Sequence, residues 1–189
     1  MAAEAGPDVH VALLRGVNVG GKRRLPMEEL AALFEASGAR EVRTLIQSGN
    51  VVFRAAASRV PAVAETVARE LERRLGSPVP VVVRSGREIR AVPRANPFLR
   101  AGADPRTLHV AFLAGLPPRP RREALDPARS PPDEVAVVGR EAFLRLPNGV
   151  ARTRFTNAYL DATLGTVSTL RNWATVLALV ERVAEASGR

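Results

Sequence analysis

The sequence predicts an α+β fold in which one β-α-β-β-α-β unit occurs twice and a C-terminal helix follows. Two observations support this prediction. Strand-like and helix-like patterns alternate in the same order in both halves. The string HVALL at 10–14 also returns as HVAFL at 109–113, at the same place in each series, which favours a duplication. A unit of this order is the split βαβ arrangement, so we expect two tandem ferredoxin-like units.

The first unit, predicted over 1–86, contains four strand signals and two helix signals. Segments rich in β-branched residues predict strands over 9–17, 42–47, 50–55 and 78–85. The Ser48-Gly49-Asn50 sequence is typical of a hairpin turn between the middle two. The two helices begin near Pro26 and Ser58, and apolar residues recur in them at helical spacing. The expected inward positions are Leu30, Leu33, Phe34, Val60, Val63, Ala64, Val67, Leu71 and Leu75.

The second unit, predicted over 107–189, follows a connector over 87–106 that includes part of a helix beginning at Gly86. A strand begins at Thr107, and a weak helix is predicted over 122–128. A strand pair then flanks Gly139-Arg140. A helix over 155–164, a strand over 167–171 and a final helix capped by Asn172 complete the series. We expect one face of that helix to carry Trp173, Val176, Leu177, Val180 and Val183.

Composition narrows the class of protein. The 189 residues are 46% apolar and 25% charged, which is typical of a globular chain and excludes wholesale disorder. The absence of cysteine excludes disulfides and thiolate metal sites. No apolar run is long enough to span a membrane, and the N-terminus lacks a secretory pattern, so we expect a cytoplasmic protein without a membrane partner. Composition leaves the oligomeric state open.

The charge favours an anionic partner. The formal net charge is +9, which attracts nucleic acid and phosphate-bearing ligands. Among its 28 basic residues, only Lys22 is a lysine. Because this bias toward arginine is so strong, coding composition is an alternative source of the charge.

The predicted sheet brings two polar segments to one end. In a split βαβ sheet, the loop after the first strand and the turn between the second and third strands lie at the same edge. Adjacent glycines allow close approach of a ligand to the backbone, while basic and amide side chains bind anions and polar groups. The candidate ligand-binding residues are Arg15, Asn18, Gly20, Gly21, Lys22, Gln47, Ser48 and Asn50. The structural alternative is that these residues form and cap tight turns.

Two further polar clusters accompany predicted helix starts. Residues at such positions can bind anions through free N–H groups, or can cap the helix. The second cluster contains Arg152, Thr153, Arg154, Thr156 and Asn157, with Thr153 as the expected cap. The third contains Thr169, Arg171, Asn172 and Trp173. Trp173 could stack on a base or sugar, although its phase with Val176 favours the core.

The sequence lacks the complete motifs of several well-known catalytic and binding sites. The segment 16–22 matches most of a Walker A motif, but Arg23 stands where a serine or threonine would hold Mg²⁺, and Pro26 delays the helix. His10 and His109 have no second ligand at metal spacing. No nucleophile elbow or carboxylate pair is present, and no RNP1 pattern of exposed aromatics is present. We therefore expect no metal, no cofactor and no assigned catalytic residue.

A family resemblance follows from six strings in the sequence. They are LLRGVNVGGKRRLPMEEL, VRTLIQSGNVVF, ANPF, LHVAFL, VGREAFLRLPNGVARTRFTN and TLRNWATVLAL. Through them, from Val9 to Val183, the chain resembles the bacterial family of domain of unknown function 1697. The resemblance implies a two-domain α+β protein and implies no reaction. The family motifs fall on Arg15–Gly21, Gln47–Phe53, Thr156-Asn157 and Arg171–Trp173.

Three functional hypotheses remain from the sequence. The first is a protein that binds an anionic ligand, either nucleic acid or a nucleotide or phosphate, at the basic glycine-rich loop. The second is an enzyme acting on a small phosphorylated or carboxylated metabolite positioned by Arg15, Lys22 and Asn50. The third is a protein-interaction module, which a large exposed apolar patch would support.

Overall fold

The computed structural model describes residues 8–18, 24–46 and 49–188. In the first half, the elements are β1 (Asp8–Leu14), α1 (Met27–Ala36), β2 (Arg40–Leu45), β3 (Asn50–Ala55), α2 (Val60–Leu75) and β4 (Val81–Ser85). Two helices follow, α3 (Gly86–Ala95) and α4 (Pro97–Arg100). The second half has β5 (Leu108–Leu113), α5 (Arg119–Glu123), β6 (Glu134–Val138), β7 (Glu141–Arg145), α6 (Asn157–Leu164), β8 (Ser168–Asn172) and α7 (Trp173–Ala186).

The strands form two four-stranded antiparallel sheets. The strand orders are β2-β3-β1-β4 and β6-β7-β5-β8, so corresponding strands occupy corresponding places. His10 lies opposite Ser85 at the last residue of β4, and His109 lies opposite Asn172 at the last residue of β8. The predicted α+β class is confirmed.

Amphipathic helices pack against one face of the first sheet. α2 buries Val63, Val67 and Leu71 at successive turns. Gly76 ends α2 in the left-handed conformation, with a φ of 69°, which a residue with a side chain adopts only at a cost. Phe34 of α1 contacts Phe53 of β3, with ring centroids 5.2 Å apart. Together these side chains form the apolar core of this half.

A separate core lies in the second half. Leu113 and Leu144, from β5 and β7, pack with Phe155 and with Leu160 and Leu164 of α6. Gly165 ends α6 in the left-handed conformation, as its sequence position predicts.

Contacts divide the chain into two compact units. One contains Met1–Arg90 and Leu179–Arg189, and the other contains Ala91–Ala178. The unit boundaries therefore fall inside α3 and inside α7. The last turns of α7 belong with the first sheet's unit, although they follow the second sheet in sequence.

Four local predictions need correction. The first strand ends at Leu14 instead of residue 17, and residues 15–18 form bends. The connector forms two helices because Asn96 separates them and accepts hydrogen bonds from the Phe98 and Leu99 N–H groups. The weak helix predicted over 122–128 lies earlier, at Arg119–Glu123, because Pro118 and Pro120 favour its first positions. Leu177 is 47% exposed, and Leu179 is buried in its place.

None of the helices in the described part of the chain has the length and hydropathy needed to cross a membrane.

Candidate functional site

The end of β1 lies against the turn that precedes β3. The Leu14 N–H donates to the Gly49 carbonyl over 2.8 Å, and the Arg15 N–H donates to the Pro80 carbonyl over 3.0 Å. Gly49 has a φ of 72°, and a Cβ atom there would lie 2.9 Å from the Leu14 Cβ. The described flanks of the glycine-rich loop and of the β2–β3 turn therefore meet at one end of the first sheet. We call this end the loop rim (residues 14–18, 24–25, 46 and 49–50).

Asn18 bridges the two ends of the glycine-rich loop. Its Oδ1 accepts from the Leu25 N–H over 2.8 Å, and its Nδ2 donates to the Leu25 carbonyl over 2.9 Å. Its φ of 57° is a left-handed conformation that asparagine tolerates better than most residues. Because both polar atoms bind backbone, the observed role of Asn18 is to close the loop.

Asn50 also has a role in the backbone of the loop rim. It is fully buried, and its Nδ2 donates to the Leu45 carbonyl over 3.1 Å across the β2–β3 connection. Arg15 is half-buried and Arg24 is exposed. The other predicted members of this cluster lie outside the described residues: Gly20, Gly21, Lys22, Gln47 and Ser48.

The second cluster forms the start of α6. Thr156, and not Thr153, caps the helix, because Thr156 Oγ1 accepts from the Tyr159 N–H over 3.2 Å. Thr153 Oγ1 instead accepts from the Phe155 N–H over 3.1 Å. The Asn157 Oδ1 accepts from the Ser168 hydroxyl over 3.1 Å, which ties the helix to β8. Arg152 is exposed beside them.

A stacked arginine adjoins this helix start. The Arg129 guanidinium lies 3.8 Å from the centre of the Tyr159 ring, and Arg129 Nε donates to the Arg154 carbonyl over 3.1 Å. The Arg154 N–H donates to Ser130 Oγ over 2.9 Å. These contacts organise the loop before β6, so most polar groups of this cluster have structural partners.

The third cluster divides into a buried pair and a cap. Trp173 is 3% exposed and Arg171 is 8% exposed. Arg171 Nη1 donates to Thr169 Oγ1 over 2.8 Å and to the Leu170 carbonyl over 2.9 Å. Burial lowers the pKa of Arg171 to about 10, so the group stays charged at neutral pH. Asn172 Oδ1 accepts from the Thr175 N–H over 2.8 Å, which confirms the predicted cap.

Two groups outside the predicted clusters are chemically unusual. Arg84 of β4 is 1% exposed and lies opposite Val11, as Arg171 lies opposite Val110 in the other sheet. Arg84 and Arg171 therefore occupy equivalent positions in the two repeats, and the repeat in the sequence could have identified Arg84 from Arg171. His10 is also buried, and it lines a cleft at the start of α3. The sequence Ser85-Gly86-Arg87-Glu88 is a capping-box signature and agrees with the helix start predicted at Gly86.

Among the described residues, no group of three or more histidine, cysteine, aspartate or glutamate side chains could hold a metal ion.

The fold and these residues define an α+β protein with two antiparallel sheets whose candidate site residues lie where strands end and helices begin. The chain belongs to the family described as "Protein of unknown function (DUF1697)", whose model matches residues 8–143. Its fold is similar to that of the conserved bacterial protein SP0830 from Streptococcus pneumoniae. The TM-score is 0.71 at 19% identity, over 94% of this chain and 99% of that one. No curated protein matches the sequence.

Proposed function

We propose that this protein binds an anionic ligand, a nucleic acid or a nucleotide phosphate, at the loop rim. The observation that carries the proposal is the 2.8 Å hydrogen bond from the Leu14 N–H to the Gly49 carbonyl. It holds the start of the basic loop against the turn that precedes β3. Arg15 and Arg24 lie on the described flanks of that loop, and Lys22 lies between them in the sequence.

Electrostatics supports this ligand class. The formal net charge of +9 raises the local concentration of polyanions near basic segments. Neutralising phosphates with basic side chains releases counterions, so binding of this kind weakens steeply as salt rises. The amides of Asn18 and Asn50 contribute indirectly, because they fix the backbone on which the basic groups stand.

The test is a fluorescence anisotropy titration of labelled single-stranded and duplex nucleic acid at about 50 and 200 mM salt. The variant Lys22→Ala/Arg24→Ala should bind more weakly and should lower the salt slope by about two, one per phosphate contact. The control variant Arg69→Ala/Arg94→Ala removes the same charge from exposed positions on α2 and α3. It should bind as the unmodified protein does.

Absence of binding at the lower salt concentration would refute the proposal. An equal loss in the control pair would show that net charge alone, and not the loop rim, attracts the polyanion.

We further propose that each half is a ferredoxin-like unit and that the two arose by duplication. The common strand order of the two sheets supports this proposal. So does the equivalent register of His10 and His109 against the last residues of β4 and β8. The proposed repeat units are those expected from sequence, 1–86 and 107–189 with a connector over 87–106, and they differ from the compact units, which assign Leu179–Arg189 to the first half.

A further inference from the structure

An open cleft lies at the start of α3, within the first compact unit. Its volume is about 610 Å³, enough for a small ligand. The lining residues that carry the argument are Asp8, His10, Arg54, Arg87, Arg90 and Ser187. The cleft takes residues from the beginning of β1, whereas the loop rim follows the end of that strand. The two sites are therefore separate.

His10 gives an independent sign that this cleft has a ligand. The residue is 6% exposed, and its Nε2 atom is buried without a hydrogen-bond partner among the described residues. A buried polar atom without a partner is costly, so native proteins usually supply one. The equivalent histidine, His109, also faces a backbone carbonyl, since its Nδ1 lies 3.3 Å from the Thr107 oxygen. In His10 the second ring nitrogen is a buried polar atom beside a cleft.

The charges around the cleft favour an anion. Arg87 is exposed in the first turn of α3, where the helix dipole adds partial positive charge, and it forms no ion pair with the described residues. Arg90 Nη1 donates to the Ser187 hydroxyl over 3.0 Å, which directs it toward the C-terminal end of α7. Arg54 is the third guanidinium in the lining, and its Nε already donates to Glu41 over 3.0 Å.

Two carboxylates stand near this group of arginines. Among the described residues that line the cleft, Asp8 is the acidic one. Glu88 Oε2 accepts from the Ser85 N–H and hydroxyl, each over 2.8 Å, and so completes the capping box of α3. Because Glu41 already pairs with Arg54, the described lining sets Arg87 and Arg90 against Asp8, which leaves an excess of positive charge.

We propose that this cleft binds the phosphoryl group of a small phosphomonoester, with Arg87 and Arg90 as its charged partners and His10 Nε2 as the hydrogen-bonding group beneath it. Arginine suits phosphate because its N–H groups match two oxygens at once. The inference goes beyond the proposed function, because it concerns a different site and a small ligand in place of a polymer.

The state of His10 gives the proposal a specific readout. Burial holds the pKa of His10 below its ordinary value of 6.5, against the opposing effects of the Ala55 backbone, Asp8 and Glu88. Arg54, Arg87 and Arg90 line the same cleft as this ring. A bound phosphoryl group would favour the imidazolium form, so ligand binding should raise the pKa of His10.

The experiment uses proton NMR, since the chain contains only two histidines. The C2 proton signals are followed from about pH 5 to 8, around the ordinary histidine pKa, with inorganic phosphate and with chloride at equal ionic strength. His10→Gln assigns the signals. Phosphate should raise the pKa of His10 and leave that of His109 unchanged. The variant Arg87→Ala/Arg90→Ala should weaken phosphate binding about tenfold or more, whereas Arg69→Ala/Arg94→Ala should not.

The proposal is overturned if phosphate changes the pKa of neither histidine. It is overturned as well if phosphate changes both pKa values only as much as chloride does. It is also overturned if the Arg87/Arg90 and Arg69/Arg94 variants behave alike. The variant Lys22→Ala/Arg24→Ala should keep phosphate binding at His10, so failure at the loop rim and failure at this cleft are distinguishable.

Discussion

Single residues with unusual backbone conformations fix the first sheet's loop rim. Asn18 and Ile46 have positive φ angles although they are not glycine. Gly49 combines a positive φ with close packing, because a Cβ there would approach both Leu14 and Val17. The sequence predicts glycine here because glycine readily adopts the backbone conformations of a turn. The structure adds a second reason, since the backbone of the turn lies directly on β1.

Alanine substitutions at Gly49 and Gly76 separate the cost of a positive φ from the cost of close packing against β1. Gly76→Ala introduces a side chain at a similar φ of 69° with nothing within 4 Å of it, and should cost about 1 kcal/mol from backbone strain alone. Gly49→Ala adds a steric clash with Leu14 and should cost about 3 kcal/mol. Urea unfolding of both variants measures the difference. Equal losses would show that the turn moves away from β1 without cost.

At the scale of elements, capping residues determine where α6 and α7 begin. Thr156 and Asn172 each accept a hydrogen bond from a backbone N–H in the first turn. Both also belonged to candidate ligand clusters, so their contribution to stability can be tested apart from binding.

Removing these caps should destabilise the fold without changing anion affinity. Thr156→Ala and Asn172→Ala should each lower the free energy of unfolding by about 1 kcal/mol, because one N–H loses its acceptor. Thr156→Ser and Asn172→Asp keep an acceptor oxygen and serve as matched controls. Thermal unfolding gives the stability, and phosphate titration gives the affinity. A loss of affinity in the alanine variants with unchanged stability would assign these residues to a ligand.

Periodicity predicted which elements form better than which residues they bury. In α7 the pattern identified Trp173, Val176 and Val183, which are buried, but chose Leu177 over Leu179. At about 100° per residue, Leu179 lies closer than Leu177 to the direction shared by Val176 and Val183. Leu177 was wrongly predicted to be buried because both leucines lie beside the same apolar face of α7.

The candidate sites were harder to predict because their contacts are not local in sequence. The bridge from Asn18 to Leu25 joins residues that are seven positions apart in the sequence. The state of His10 depends on β1, β3, α3 and the end of α7 meeting around one cleft. No spacing rule on a single segment contains that information, although the capping box at Ser85 marks one of its components.

At the scale of the whole molecule, the two sheets bury equivalent histidines, and this couples stability to pH. Burial lowers the pKa of His10 and also that of His109. Because the folded state holds each ring neutral, the unfolded chain binds more protons between the lowered pKa and the ordinary value near 6.5. The contribution to stability is therefore complete above that value and is lost as the pH falls.

Acid should therefore lower the free energy of unfolding in a pH range above the one in which the carboxylates become protonated. Glu70 has a pKa lowered to about 2 by hydrogen bonds from Arg73 and Arg74, so its contribution changes only below the ordinary glutamate range. Urea unfolding between about pH 7.5 and 5.5, around the histidine pKa, should show decreasing stability in the unmodified protein. His10→Gln/His109→Gln should flatten this dependence, and each single variant should remove part of it. An unchanged slope in the double variant would assign the dependence to groups other than the repeated histidines.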